Sequence, residues 1–152
     1  MTDSLPKDLP MLALDNQLCF ALYSASLALT KTYKPLLDSL GLTYPQYLVM
    51  LVLWEHDDIP VKQIGQALFL DSGTLTPLLK RLASSGLLSR SRDADDERQV
   101  RITLTAAGRQ LRQAAAAIPA QILCASGQTP DTLCTLRTQL GDLREELQKK
   151  LN

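Results

Sequence analysis

The apolar positions divide the chain into short periodic blocks. Leu18, Leu22, Leu29, Leu36 and Leu40 fall near one face of a helix. Asp15 stands where such a helix wants an N-cap, and Gly41 where it stops. Pro35 lies inside and is expected to bend the helix, because its nitrogen carries no proton to donate. Thr43 caps a second helix that tolerates Pro45 in its first turn. That helix carries Tyr47, Leu48, Leu51 and Leu53 and breaks at the run HDDIP. Residues 1–14 read as an arm.

Two short amphipathic segments follow, VKQIGQALFL and DSGTLTPLLKRLASSG, with the size and turn position of a helix-turn-helix. Pro77 removes a bond to the carbonyl of Gly73, so a local distortion is predicted there rather than a break. After Gly86 the period changes. LLSRSR and QVRITL read as strands, and the polar stretch DADDER between them makes a hairpin with a long charged tip. Thr105 caps an alanine-rich helix that reaches Ile118–Pro119. Residues 130–151 form a last amphipathic helix with Leu133, Leu136, Leu140, Leu143 and Leu147 on one side.

The predicted fold is therefore mainly α with a small β-hairpin, a winged helix-turn-helix with helical extensions at both ends. Residues 1–152 form one unit. About 43–104 make the DNA-binding part, and about 15–42 and 105–151 the helices of a dimer interface. The terminal leucine stripes suit ordinary core, but they exceed what two lone helices hide, which is what a helical dimer interface needs.

Length and composition narrow the function. A chain of 152 residues is one domain-sized unit. Sixteen basic and sixteen acidic residues cancel, which argues against a globally basic nucleic-acid binder and leaves room for a local basic patch. No run is long and apolar enough to span a membrane. MTDSLPKDLP does not read as a signal peptide, so a cytoplasmic protein is expected. The cysteines are Cys19, Cys124 and Cys134, with no CxxC and a single histidine, His56. That set lacks the ligands of a structural zinc site; neither metal nor cofactor is expected, and in a reducing compartment the thiols stay reduced.

In the second helix of the helix-turn-helix, Ser72, Gly73, Thr74 and Thr76 stand at the end that meets base edges in a major groove, and Lys80 reaches phosphate. The same residues also suit a simply capped helix. Around the hairpin, Lys80, Arg81, Arg90, Arg92, Arg98 and Arg101 are partly cancelled by Asp93, Asp95, Asp96 and Glu97. A purely electrostatic patch would not hold so many acids. One arginine steadied by a carboxylate makes better sense: Arg98 entering a narrow minor groove, with Asp96 fixing its rotamer. The competing reading is a solvated, self-neutralised loop.

These residues carry a resemblance. DSGTLTPLLKRL, followed by GL, a strand and DERQV, resembles the MarR family of winged-helix repressors. The run NQLCFALYSASLALTKTYKPLLDSLGLTYPQYLVMLVLWE is similar to the organic hydroperoxide resistance regulators of that family, and the likeness covers about residues 15–124. The resemblance implies a homodimer that holds operator DNA when reduced and leaves it when an organic hydroperoxide oxidises a sensor cysteine. It puts the sensor on Cys19, the tyrosines that hydrogen-bond it on Tyr33 and Tyr44, and the second cysteine of the two-cysteine subgroup, which closes an inter-subunit disulfide, on Cys124. The minor-groove arginine falls on Arg98, its acidic partner on Asp96, and another wing contact on Arg90. Cys134 matches no such role and is treated as structural. The target gene implied is a thiol peroxidase.

Taken alone, Cys19 is either a small core hydrophobe or a reactive thiol. With Asp15 as cap it lies in or near the first helical turn, where unpaired amides favour a thiolate while Asp15 opposes one. Phenols can donate hydrogen bonds to a thiolate. Tyr33 follows fourteen residues later, so along one helix the two stand ~20 Å apart. If Tyr33 touches a Cys19, it is the other subunit's. Leu18, Phe20 and Leu22 suit either core or a pocket for alkyl hydroperoxides. A segment after Pro119, carrying Cys124, is expected to move freely. Three rival functions remain: a MarR-type repressor released by a small phenolic ligand, a thiol peroxidase, which would leave the wing unexplained, and a pure interaction protein that binds no DNA.

Overall fold

The computed structural model describes residues 10–152. The first nine residues of the expected arm, and with them most of MTDSLPKDLP, lie outside the described residues. The chain enters through a 3-10 turn, Leu14–Asn16, and then helix α1, Leu18–Asp38. Asp15 lies in that turn and is not the cap. The N-cap is Gln17, whose side-chain amide reaches back to the carbonyls of Met11 (2.7 Å) and Ala13 (3.0 Å). Those bonds fold the entering segment against the helix start; the Gln17 side chain accepts no bond from the helix amides. Helix α1 continues through Pro35, because a proline so near the C-terminal end forfeits only the bond to Lys31. Gly41 then adopts φ +71°, a left-handed conformation open to glycine, and Leu42 turns back to bond the carbonyl of Leu37 and enter the core.

Helix α2, Tyr44–Glu55, opens with a capping box in which the Thr43 hydroxyl accepts from Gln46 N and the Gln46 side chain accepts from Thr43 N. It buries Tyr47, Val49, Met50 and Leu53 and leaves Leu51 exposed. A helix that is apolar all round is a central helix, and it packs against α1 and three later helices. HDDIP does more than end it: Ile59–Pro60 forms a short strand, β1.

Helices α3 (Val61–Leu68) and α4 (Ser72–Ser84) make the helix-turn-helix. Asp71 caps α4, its carboxylate accepting from Thr74 N at 2.7 Å, and α4 runs unbroken through Pro77. Leu75, Leu79 and Leu82 fall on its buried face. Strands β2 (Leu88–Arg92) and β3 (Val100–Leu104) pair antiparallel, from Leu88↔Leu104 to Arg92↔Val100. Strand β1 joins the outer edge of β3 through Ile59↔Ile102 and Pro60↔Arg101, giving the order β1-β3-β2. Pro60 is tolerated because an edge strand can spare a donor. The fold is thus mainly α with a small three-stranded sheet.

Helix α5 (Ala106–Ala115) is capped by Thr105 and stops short of Pro119. Pro119 opens the next helix, α6 (Ile118–Ser126), where its missing N–H costs nothing. Cys124 therefore lies in the last turn of a helix that packs on α1, not in a stretch that follows a helix ending at Pro119. Helix α7, Pro130–Leu151, has no buried residue. Leu136, Leu140 and Leu147 on α7 are exposed, as are Leu18, Leu22, Leu27 and Leu29 on α1. Among the described residues no helix is long and apolar enough to cross a membrane.

Gly108 marks the tightest joint between these parts. Its carbonyl accepts the Trp54 indole N–H at 2.9 Å, and a Cβ built on it would stand 2.0 Å from the Leu87 carbonyl oxygen. Gly108→Ala must push α5 off the wing base. It should cost about 1–3 kcal/mol, read as a lower urea midpoint with unchanged slope. An unaltered midpoint would mean that the joint yields freely.

Candidate functional site

Helix α1 sets the first set of positions. Cys19 is its second residue and is exposed within the chain, so it is not a core hydrophobe there. With Gln17 as N-cap, the first turn holds no acidic side chain, and Asp15 sits in the preceding turn. Tyr33 lies on the same unbroken helix, ~20 Å further along. The chain does not bring its own Cys19 to Tyr33.

Tyr33 instead packs with two tyrosines of α2. Its ring lies 5.1 Å from that of Tyr44 and 5.7 Å from that of Tyr47, centre to centre, and Tyr47 meets Trp54 edge-on at 6.4 Å. Burial pushes the Tyr33 phenol up to about 12, with smaller contributions from Tyr47 and Tyr44. Burial also raises Tyr44, and burial and Tyr44 raise Tyr47. All three phenols are therefore neutral hydrogen-bond donors at ordinary pH. The sequence pattern places Tyr47 on α2 without pairing it to Tyr33; its i, i+3 spacing from Tyr44 on one helix face is the signal for the pair.

Tyr33 also lines an open apolar groove of about 840 Å³ between α1, α6 and α7, with Leu22, Leu29, Ile122, Leu133 and Leu140. Cys124, on α6, is exposed, as is Cys134 on α7, whose sulfur accepts a weak 3.7 Å bond from Arg137. Among the described residues no cluster of His, Cys, Asp or Glu is placed to hold a metal ion.

The second set lies on the helix-turn-helix and the hairpin. Ser72, Gly73 and Thr74 form the exposed first turn of α4; Thr76 is half-buried and Lys80 exposed. The backbone amide of Thr74, with its hydroxyl and the Gly73 amide, holds the Asp71 carboxyl below the usual carboxylate range. Thr76, Arg90 and Arg98 come together around a cleft of about 320 Å³ between α4 and the hairpin. Lys62, from the start of α3, joins them and was missed in the sequence reading, where it stood as one polar position of an amphipathic helix.

At the hairpin tip Asp96 accepts from both Arg98 N (3.1 Å) and Arg98 Nε (3.2 Å), while the Arg98 side chain stays 92% exposed. The Arg92 guanidinium donates to the Glu97 carbonyl at 2.9 Å. Asp93 accepts the amides of Asp95 and Asp96. Two of the four acids that offset the basic patch, Asp93 and Asp96, thus build the turn with their carboxylates.

The phenol cluster yields a pH prediction. A raised phenol pKa means that the fold favours the neutral form. Its stabilising contribution is complete below the unfolded value near 10 and falls as pH rises toward 12. Tyrosinate absorbance should show a late-titrating phenol, and Tyr33→Phe should remove that step and flatten the alkaline loss of stability. A Tyr33 phenol titrating near 10 would contradict the packing described.

The profile of the SarA/Rot transcriptional regulators matches residues 31–115. The chain is 52% identical over 137 residues to the organic hydroperoxide resistance transcriptional regulator of Bacillus subtilis (strain 168), covering 90% of this chain and 93% of that protein. Among solved structures it is similar to AbfR, a protein of Staphylococcus epidermidis. Against reduced AbfR bound to DNA the TM-score is 0.75 at 40% identity, covering 88% of this chain and 94% of that one. Against the disulfide-formed AbfR it is 0.61 at 41% identity, covering 86% and 91%. With the helix-turn-helix and the wing in place, the chain belongs to the MarR-family winged-helix transcriptional regulators, in the redox-sensing subgroup of the organic hydroperoxide resistance regulators.

Proposed function

We propose that this regulator is a homodimeric repressor in the cytoplasm that holds operator DNA while Cys19 is reduced and releases it when an organic hydroperoxide oxidises that thiol. One observation carries the reading. A cluster of three neutral phenols, of which Tyr33 lines an apolar groove, stands ~20 Å along an unbroken helix from the Cys19 of the same chain. A second copy, with α1 and α7 apposed, would supply the missing thiol and cover the exposed leucines. About 15–42 and 105–151 then serve dimerisation, and about 43–104 DNA binding.

The chemistry balances with the peroxide as oxidant. The Cys19 thiolate attacks the distal oxygen, the O–O bond breaks, and an alcohol leaves as Cys19 becomes a sulfenic acid. Tyr33 and Tyr44 of the partner chain donate hydrogen bonds to the thiolate. The Cys124 thiol of the other subunit condenses with the sulfenic acid, forming a disulfide and releasing water. Closing that bond requires Cα atoms within about 7 Å, so α6, as a helix, must shift as a body. The weaker match to the disulfide-formed relative than to the reduced, DNA-bound one supports such a rearrangement. On DNA, Ser72, Gly73, Thr74 and Thr76 face the major groove, Lys80 and Arg90 the phosphates, and Arg98, held by Asp96, the minor groove.

Cys19→Ser should bind operator DNA as wild type does yet keep it in the presence of cumene hydroperoxide, in a gel-shift titration. Release by that variant would remove Cys19 from the sensor role. After mild oxidation wild type should run as a covalent dimer on a non-reducing gel. Cys124→Ser should not, and its Cys19 should proceed to sulfinic acid; a Cys124→Ser dimer would point to Cys134 instead.

Arg98→Ala should weaken operator binding and reduce the slope of log affinity against log salt by about one. An unchanged operator affinity would return the hairpin tip to a solvated loop.

A further inference from the structure

The exposed Arg98–Asp96 pair is too wet to hold an arginine in one orientation by itself, since exposed ion pairs contribute little. The structure traces the tip to a firmer anchor. Arg101, on β3, spends all three guanidinium nitrogens on two aspartates. Its Nε donates to Asp58 Oδ1 at 2.9 Å, its Nη2 to the Asp58 carbonyl oxygen, and its Nη1 to Asp93 Oδ2 at 3.0 Å. Asp58 lies in the connection between α2 and β1 and has φ +55°, a conformation that a residue other than glycine seldom takes. The Thr103 hydroxyl gives the same carboxylate a further bond at 3.3 Å. Next door, Asp57 accepts from Leu104 N at 2.8 Å, tying the connection to the end of β3.

From Asp93 the chain of bonds runs outward. Asp93 Oδ1 accepts from Asp95 N (2.8 Å) and Asp96 N (3.4 Å), and Asp96 Oδ1 accepts from the backbone and side chain of Arg98. Shielding falls along this path: side-chain exposure is 13% at Asp93, 36% at Asp96 and 92% at Arg98. The guanidinium of Arg101 holds the Asp58 carboxyl below its usual range; the Asp95 amide, then Arg101, do the same for Asp93.

We propose that Arg101 is a positioning residue for DNA binding, locking the hairpin tip to the body of the fold so that Arg98 is presented to the minor groove. This rests on the functional reading above. Arg101 acts through a planar fork that bridges two carboxylates at once, which a lysine cannot do. Asp58 and Asp93 are its two clamps.

The test is operator affinity of the reduced full-length protein by fluorescence anisotropy, at several salt concentrations. Arg101→Gln should weaken binding about 10-fold, as loss of charge-assisted bonds implies. In an Arg98→Ala background the same change should cost less than about 2-fold, because the group it positions is gone. Arg101→Lys should behave like Arg101→Gln; recovery of wild-type affinity by lysine would overturn the proposal in favour of a direct phosphate contact. Asp93→Asn supplies an independent sign. It removes a negative charge near DNA, so simple electrostatics predicts tighter binding, whereas loss of the clamp predicts weaker binding. Tighter or equal binding by Asp93→Asn overturns the proposal, as does equal loss from Arg101→Gln with and without Arg98. Should Arg101→Gln fail to fold, Asp93→Asn decides alone. Covalent dimer formation under cumene hydroperoxide should stay at the wild-type rate in the Arg101 and Asp93 variants. If Arg98→Ala itself binds normally, the functional reading fails; if Arg98→Ala is weak and Arg101→Gln is not, only the positioning role fails.

Discussion

The continuity of α1 governs most of what this chain can do. A helix is a ruler: each residue adds about 1.5 Å, and hydrogen bonds between its turns prevent it from folding back. Cys19 at one end and Tyr33 near the other therefore cannot meet within one chain. Pro35 was the feature able to relax this constraint, and it comes too late in the helix to do so. The thiol is left exposed, Tyr33 lines a groove, and among the described residues several of the leucines that wall it remain exposed. In the proposed dimer, dimerisation and sensing become one problem, because the surface that a second copy would cover is also the surface that would complete the site.

The second theme is how a chain of zero net charge presents a basic face. Its acids are not spread to cancel its cations evenly. Asp71 caps a helix, Asp93 closes a turn, Asp96 steadies Arg98, and Asp57 and Asp58 bind the base of the hairpin. These carboxylates are committed to backbone amides and neighbouring guanidinium groups, although Asp58 and Asp71 stay exposed to solvent. Thr76, Lys62, Arg90 and Arg98 line the open cleft between α4 and the hairpin with no carboxylate among its walls. Net charge describes the whole surface, whereas DNA meets one side of it.

Much of this was legible in the chain itself. Leucine periodicity, the caps Thr43 and Thr105, the two amphipathic segments of the helix-turn-helix, the alternating QVRITL and the last helix at 130–151 are local signals, set by side chains within a few residues of one another. The α1 spacing also needed no tertiary structure, since a helix converts residue count directly into distance. The family resemblance marked Cys19, Cys124, Tyr33, Tyr44, Arg90, Asp96 and Arg98, and the structure brings Tyr33 to Tyr44 and Arg98 to Asp96.

Other features depended on partners far along the chain. Strand β1 is two residues long, and it exists because β3 offers an unpaired edge to Ile59 and Pro60. Asp15 is the better capping residue, yet Gln17 takes the position because its amide can reach Met11 and Ala13. Pro119 reads equally as a stop or a start, and packing of α6 on α1 decides for a start. The buried face of α2 is invisible in a segment apolar on every side, so Tyr47 emerged only once Tyr33 and Trp54 were packed around it. Arg101 was one cation of a cluster until the fold carried Asp58, 43 residues away, to its guanidinium. Sequence determined what could be settled by neighbours within a turn or two; tertiary structure decided wherever a side chain's partner was chosen by the closing of the fold.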